Sequence, residues 1–180
     1  MQNIQINSDG ICSEAKFIAS PNIDARPNAE DISLIVIHNI SLPPKQYGGN
    51  GVIDLFSNQL NPDDHPYFKE IYQLKVSAHL VIKRDGSCVQ YVPFNKRAWH
   101  AGASNYQGRE GCNDFSIGIE LEGSETIAYT DAQYQKLNKI LTLLIEYYPK
   151  LSKQDITGHS DIAPSRKTDP GATFDWQRIK

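Results

Sequence analysis

Residues 158–171 concentrate side chains that can do chemistry. The segment holds a histidine, two aspartates, an arginine and a lysine between glycines and prolines that favour turns. Pro164 and Pro170 fix their own φ angles and push the residues before them towards extended backbone, which restricts where side chains can point. Lys167 and Asp169 are two residues apart, so an extended backbone would project both to the same side. The pattern predicts a loop built around a site, although ordinary solvated charges remain the alternative for this segment taken alone.

A second histidine extends this segment to a candidate metal site. A catalytic zinc ion needs three protein ligands and one open position for water, and two imidazoles with one carboxylate are a common set. These groups are supplied by His38 at a strand end, by His159 after another strand, and by Asp169 in the segment 158–171. The two histidines alone leave burial and metal ligation equally open, because a histidine often serves only as a satisfied polar group in a core. Asp169, set between Thr168 and Pro170, favours the metal site.

A strand-like run over residues 115–122 supplies two further carboxylates. Its apolar residues fall on one face, and Gly118, Glu120 and Glu122 fall on the other. We expect the second face to line a polar cleft, with Gly118 leaving room for a ligand. Spacing alone leaves Glu120 and Glu122 nearly equal as candidates for a general base.

Several elements would position these residues. Residues 34–37 form a β-branched run typical of a strand buried on both faces, and residues 77–83 and 87–92 flank an Asp-Gly turn typical of a β-hairpin. Residues 130–133 match a helix capping box, followed by apolar residues at helical spacing up to Pro149. A short strand at residues 155–157 would deliver His159. The sum predicts a single-domain α/β fold over residues 1–180: a mixed central β-sheet covered by helices, an ordered arm over residues 1–30, and a zinc site in a cleft at strand ends.

The composition of the chain limits the kinds of partner that it is expected to bind. The chain of 180 residues has a formal net charge of -3 and no basic stretch, so we expect no nucleic-acid partner. No segment approaches the roughly 20 apolar residues of a membrane span, which predicts no membrane partner and no export. The 3 cysteines are scattered, which favours a reducing cytoplasm over a disulfide scaffold. No exposed apolar stripe calls for a partner subunit, so we expect a monomer.

Four stretches resemble a known family: residues 37–39, 99–102, 113–123 and, above all, 158–171. They are similar to the zinc amidase group that includes the cytoplasmic 1,6-anhydro-N-acetylmuramyl-L-alanine amidases, phage lysozyme-type amidases and peptidoglycan recognition proteins. The resemblance runs from about residue 12 to residue 178. It implies one Zn²⁺ per chain held by His38, His159 and Asp169, with Glu120 as general base and Lys167 steadying the oxyanion.

The resemblance also implies a substrate. It would be a small muropeptide, cut between 1,6-anhydro-N-acetylmuramic acid and L-alanine during cell-wall recycling, with an influence on muropeptide-signalled β-lactamase induction. Trp99 could stack on the sugar, and Asn39 or His100 could form hydrogen bonds with the substrate; plain packing is the alternative for these three. Arg109 could pair with a carboxylate of the peptide, with solvation as the alternative. His79 could contact the substrate or support a metal ligand. Some members of the group that the chain resembles carry arginine where this chain has Lys75 and Gly111, which leaves recognition of the peptide open.

Two other functions compete. A muropeptide-binding module without catalysis would share the fold, but all three candidate ligands, Glu120 and Lys167 are present here, which favours an enzyme. A non-haem Fe(II) oxygenase could use His159, Asp161 and His38 as a facial triad. Such enzymes generally have many-stranded β folds, whereas residues 130–148 predict a clear helix.

Overall fold

The computed structural model describes residues 4–179, and a six-stranded sheet forms its centre. In spatial order the sheet contains β1 (Ala15–Phe17), β5 (Cys88–Gln90), β4 (Leu80–Ile82), β9 (Ser116–Glu122), β3 (Leu34–Ile40) and β10 (Ile156–Gly158). Two short ladders lie outside it: β2 (Ile23–Asp24) with β6 (Arg97–Ala98), and β7 (Asn105–Tyr106) with β8 (Arg109–Glu110). The helices are α1 (Gly51–Phe56), α2 (Phe68–Ile71), α3 (Asp131–Tyr147) and α4 (His159–Ile162).

The sheet is mixed, as the sequence predicts. Strand β3 pairs in parallel with β9 and with β10, and β9 also pairs in parallel with β4. Strands β4 and β5 form the predicted antiparallel hairpin, whose turn contains Gly86 at a φ of +82°. That angle lies in the left-handed region, where glycine has no Cβ to clash. The α/β class and the mixed sheet covered by helices are therefore confirmed.

The register of β3 and β9 positions the chemistry. His38 lies level with Glu120, because parallel pairing matches Leu34 with Ser116 and continues residue by residue to Ile40. Pairing continues three residues beyond Ile37, so His38 and Asn39 lie inside the strand, whereas the β-branched run suggested that they follow it. Adjacent parallel strands thus bring an imidazole and a carboxylate to the same edge of the sheet.

Helices cover both faces of the sheet. The side chain of Thr130 caps α3 in the predicted capping box, and the buried side of the helix packs on the isoleucines of β3 and β9. On the opposite face, α1 and α2 pack against Val81 and Val89 of the hairpin. Burial of each leucine or isoleucine side chain contributes about 1.5–3 kcal/mol to the free energy of folding, relative to an exposed side chain. These layers therefore hold the sheet edge in place. No helix among residues 4–179 is both long and apolar enough to cross a bilayer.

The N-terminal segment is tied into the sheet. Strand β1 extends the sheet beside β5, and Ile6 bridges to Cys12. Arg26 is buried and donates to the carbonyls of Asn113, Asp114, Phe94 and Ser116. Residues 1–3 of the predicted arm lie outside the described residues.

Candidate metal centre

Three side chains meet at the edge of the sheet formed by β3, β9 and β10. Nδ1 of His38 lies 3.0 Å from Nδ1 of His159, and each of these nitrogens lies 3.0 Å from Oδ2 of Asp169. Both histidines are almost fully buried, and Asp169 is partly exposed. The three atoms form a triangle with equal edges, and we call this group the three-ligand triangle. Within residues 4–179, these side chains alone form a group of three that could hold a metal ion.

Local structure explains how residues far apart in sequence converge. Strand β10 pairs with β3, so Gly158 lies level with Ile37 and His159 follows beside His38. His159 begins α4, a short helix within the segment that the sequence predicted to be a loop. This difference arises because four helical residues are too few to give a periodic pattern. Asp169 then returns to the site, with its backbone carbonyl accepting from the N–H of Ser160.

Asp161 has a structural task. Its Oδ2 accepts from the backbone N–H of Gly158 and from the hydroxyl of Thr157, both at 2.9 Å. It therefore caps the first turn of α4, where the free backbone donors favour a carboxylate. The facial triad that would use Asp161 is not formed, because Asp169 takes the position next to the two imidazoles.

The donor set fits a divalent metal ion such as zinc. Nε2 of His159 lies 3.1 Å from the carbonyl oxygen of Ala101, which can only accept, so this nitrogen carries the proton and Nδ1 turns a lone pair to the triangle. Burial lowers the pKa of His38 to about 4, which keeps that imidazole neutral. With a lone pair of His38 also turned to the triangle, two lone pairs and a carboxylate oxygen at 3.0 Å would repel one another unless a cation lay between them. Tetrahedral zinc bonds of about 2.0–2.1 Å correspond to ligand separations of about 3.3 Å, close to this triangle.

Glu120 and Glu122 differ in what their oxygens contact. Glu120 is buried beside the triangle, and its Oε2 has no hydrogen-bond partner among the described residues. Burial, together with the negative charge of Asp169, raises the pKa of Glu120 well above its ordinary value, against an opposing effect of Lys167. The two oxygens of Glu122 instead accept from the backbone N–H groups of Gly48 (2.6 Å) and Arg84 (3.1 Å). Of these two glutamates, only Glu120 is thus left with an unpaired buried oxygen among the described residues.

A cleft of about 660 Å³ opens over the triangle. The polar groups of its lining include the triangle, Glu120 and Lys167. The apolar and aromatic lining residues include Leu42, Leu55, Phe56, Tyr67, Ile71 and Trp99. A concave site of this size, lined by apolar residues and a few convergent polar groups, suits a small organic ligand. Except for Trp99, these apolar and aromatic residues gave no sequence signal, because apolar residues usually serve the core.

The predicted substrate contacts divide into two groups. Asn39, Trp99 and His100 line the cleft, and the amide nitrogen of Asn39 donates to the carbonyl of Pro170 at 3.1 Å. The imidazole of His100 occupies the space over Gly118: a Cβ added to Gly118 would lie 2.4 Å from Cγ of His100. Gly118 therefore makes room for a histidine, and the prediction that it makes room for a ligand is wrong.

His79 and Arg109 lie elsewhere. His79 is fully buried behind the cleft, where Nδ1 accepts from the N–H of Gly118 and Nε2 lies 3.0 Å from the carbonyl of Lys96. Arg109 lies outside the cleft lining, pairs with Asp31, and stacks its guanidinium 3.7 Å from the ring centre of Phe115. These contacts already occupy both side chains, so the structure gives neither the substrate contact that the sequence suggested.

Two parts of the site had no counterpart in the sequence analysis. The carbonyl of Ala101 orients His159, and the side-chain oxygen of Asn113 accepts from the N–H groups of His100 and Ala101 at 3.1 and 2.8 Å. Every residue has a backbone carbonyl, so residue types do not show which carbonyl contacts the site. Asn113 could have been suspected only from its place beside the strand that carries Glu120.

A three-ligand metal-type site at parallel strand ends, next to a buried and unpaired carboxylate, is the arrangement of a metal-assisted hydrolase. More particularly, the chain belongs to the N-acetylmuramoyl-L-alanine amidase family, whose profile matches residues 28–172.

The relatives make the family assignment specific. The chain is 60% identical over 167 residues to 1,6-anhydro-N-acetylmuramyl-L-alanine amidase AmpD of Salmonella typhimurium, with 93% of this chain and 89% of that protein covered. The crystal structure of a selenomethionine derivative of AmpD superimposes with a TM-score of 0.93 at 57% identity, covering 96% of each chain. AmiD from E. coli, in complex with the substrate anhydro-N-acetylmuramic acid-L-Ala-D-gamma-Glu-L-Lys, matches with a TM-score of 0.60 at 27% identity, covering 98% of this chain and 64% of AmiD.

Proposed function

We propose that this amidase uses one zinc ion to hydrolyse the amide bond between 1,6-anhydro-N-acetylmuramic acid and the L-alanine of a muropeptide. The observation that carries the proposal is the triangle of His38, His159 and Asp169, with all edges 3.0 Å, next to the unpaired carboxylate of Glu120. The preference for the anhydro sugar is supported by the identity to AmpD of Salmonella typhimurium, which is named for that substrate.

Each residue has a distinct chemical task in this proposal. When bound, zinc lowers the pKa of a coordinated water to about 7 and polarises the scissile carbonyl. Glu120 takes the proton of the attacking water and delivers it to the amine of the leaving L-alanine. Its raised pKa suits this exchange, because a catalytic group works best with a pKa near the operating pH. The ammonium of Lys167 balances the negative charge on the tetrahedral intermediate.

The cleft suggests how the substrate lies. Trp99 and the apolar lining residues offer a surface for the sugar ring, and Asn39 lines the same cleft. In this proposal the sugar rests on the apolar lining residues and the scissile amide lies between Glu120 and Lys167.

The cellular role follows from the substrate. An anhydromuropeptide is a fragment of degraded cell wall, so we propose that a single catalytic domain removes the stem peptide during recycling in the cytoplasm. The three free, buried cysteines are compatible with a reducing compartment. Removal of these peptides would lower the muropeptide signal for β-lactamase induction.

Mass spectrometry of the products tests the proposal. The zinc-loaded protein is expected to release the stem peptide from an anhydromuropeptide and to act more slowly on the same compound with a reduced sugar. Equal rates on both substrates would contradict the sugar preference. Stoichiometric zinc without product from either would indicate a muropeptide-binding module. Glu120→Gln is the matched control, because it keeps the shape of the side chain and removes the base.

A further inference from the structure

The imidazole of His38 has a second nitrogen, which points away from the three-ligand triangle. This Nε2 lies 2.9 Å from Nδ1 of His100, and the two rings meet edge to face with their planes at 86°. One of these nitrogens must donate a proton and the other must accept it. The direction of this bond decides whether His38 presents a lone pair or an N–H to the triangle.

A chain of hydrogen bonds assigns the direction. The hydroxyl of Ser116 lies 2.5 Å from the carbonyl of Cys112, which can only accept, so the hydroxyl proton is used there. The same hydroxyl oxygen lies 3.1 Å from Nε2 of His100 and must accept from it. A neutral His100 with its proton on Nε2 has a lone pair on Nδ1, which accepts the proton on Nε2 of His38. His38 is then left with a lone pair on Nδ1.

We infer that His100 is a positioning residue for the metal site: together with Ser116 it holds the proton of His38 on Nε2 and so keeps the Nδ1 lone pair directed at the triangle. The inference rests on the proposed function, in which His38 binds zinc. It also gives His100 a different task from the substrate hydrogen bond that the sequence suggested, because both of its ring nitrogens are already in use.

The surrounding structure fixes His100 from several sides. Its ring fits over Gly118, which has no side chain, and its backbone N–H is held by the side chain of Asn113. Arg26 in turn donates to the backbone carbonyls of Asn113 and Ser116. Metal-binding histidines are generally oriented by a partner of their second nitrogen, and loss of that partner costs about 10–100-fold in metal affinity or activity.

The wild-type protein provides the first test. Long-range ¹⁵N–¹H NMR of the histidine rings reports which nitrogen carries the proton. In zinc-free protein at neutral pH, His38 and His100 are both expected to carry it on Nε2. A proton on Nδ1 of His100 would overturn the inference even if every variant failed to fold.

Variants of His100 provide the second test, with zinc affinity measured by competition with a chromophoric chelator. His100→Phe keeps a planar ring without an acceptor and is expected to weaken zinc binding about 10–100-fold. His100→Gln offers a carbonyl oxygen to His38 and an amide N–H to Ser116, so it is expected to recover most of that loss. Unchanged affinity in His100→Phe, or equal losses in both variants, would overturn the inference. A wild-type protein that fails to bind zinc would instead refute the proposed function, and the NMR result would still decide the proton positions.

Discussion

Substitution of Gly118 by alanine tests how tightly the sheet, His100 and the metal ligands are coupled. The added methyl group would lie 2.4 Å from Cγ of His100, whereas carbon atoms normally approach to about 3.5–4.0 Å. The ring must therefore withdraw by about 1 Å. That movement lengthens the 2.9 Å contact between His100 and His38 beyond hydrogen-bond range, which ends near about 3.5 Å.

The magnitude follows from these two changes. Overpacking costs about 1–3 kcal/mol and a lost hydrogen bond about 0.5–1.5 kcal/mol, so we expect Gly118→Ala to destabilise the zinc-free protein by about 2–4 kcal/mol. For a chain of this size each kcal/mol lowers the melting temperature by about 2–4 °C. Because His38 also loses the partner of its Nε2, zinc affinity is expected to fall about 10–100-fold.

Thermal unfolding in excess chelator and competition titration with zinc measure the two effects separately. Ile119→Val is the control, because Ile119 is the next residue of β9, faces the opposite side, and should cost only about 0.5–1.5 kcal/mol with unchanged zinc affinity. A Gly118→Ala protein that bound zinc as tightly as the wild type would show that the position of His100 does not affect the metal ligands.

Further predictions concern the two glutamates. Glu120→Gln should lower kcat by about 10²–10⁴, because it removes the proposed general base. A raised pKa means that the folded protein holds the proton of Glu120 more tightly than the unfolded chain, so stability is lost as pH rises from the ordinary glutamate value through the raised pKa. With zinc removed by a chelator, the melting temperature of Glu120→Gln minus that of the wild type should therefore increase as pH rises from about 5 to about 9. A difference that does not change with pH would contradict this. Glu122→Ala should cost about 3–6 kcal/mol, because two backbone N–H groups lose a charged acceptor, with zinc affinity retained; a stable variant that no longer binds zinc would reverse the roles of the two residues.

Much of the fold could be predicted because its signals are local. The alternation in β9, the Asp-Gly turn of the hairpin and the capping box at Thr130 each lie within a few neighbouring residues, and each predicted element is present. The structure of residues 158–171 was harder to predict. The capping role of Asp161 and the short helix α4 depend on hydrogen bonds that leave no periodic pattern.

The site was harder to predict where it depends on contacts between distant residues. Nothing in the spacing shows that the ring of His100 fills the space over Gly118, since the two are brought together only by the packing of a loop against β9. The burial of His79 and the pairing of Arg109 with Asp31 have the same origin. Glu120 and Glu122 share a face, and only the backbone donors that reach Glu122 separate their roles.

We propose that His38, His159 and Asp169 hold one zinc ion at the active site. Anomalous diffraction at the zinc absorption edge from crystals of the zinc-loaded protein would locate this ion. We expect one peak per chain, about 2.0–2.2 Å from Nδ1 of both histidines and from the carboxylate of Asp169. A zinc peak at any other group of side chains, with none between these three, would contradict it.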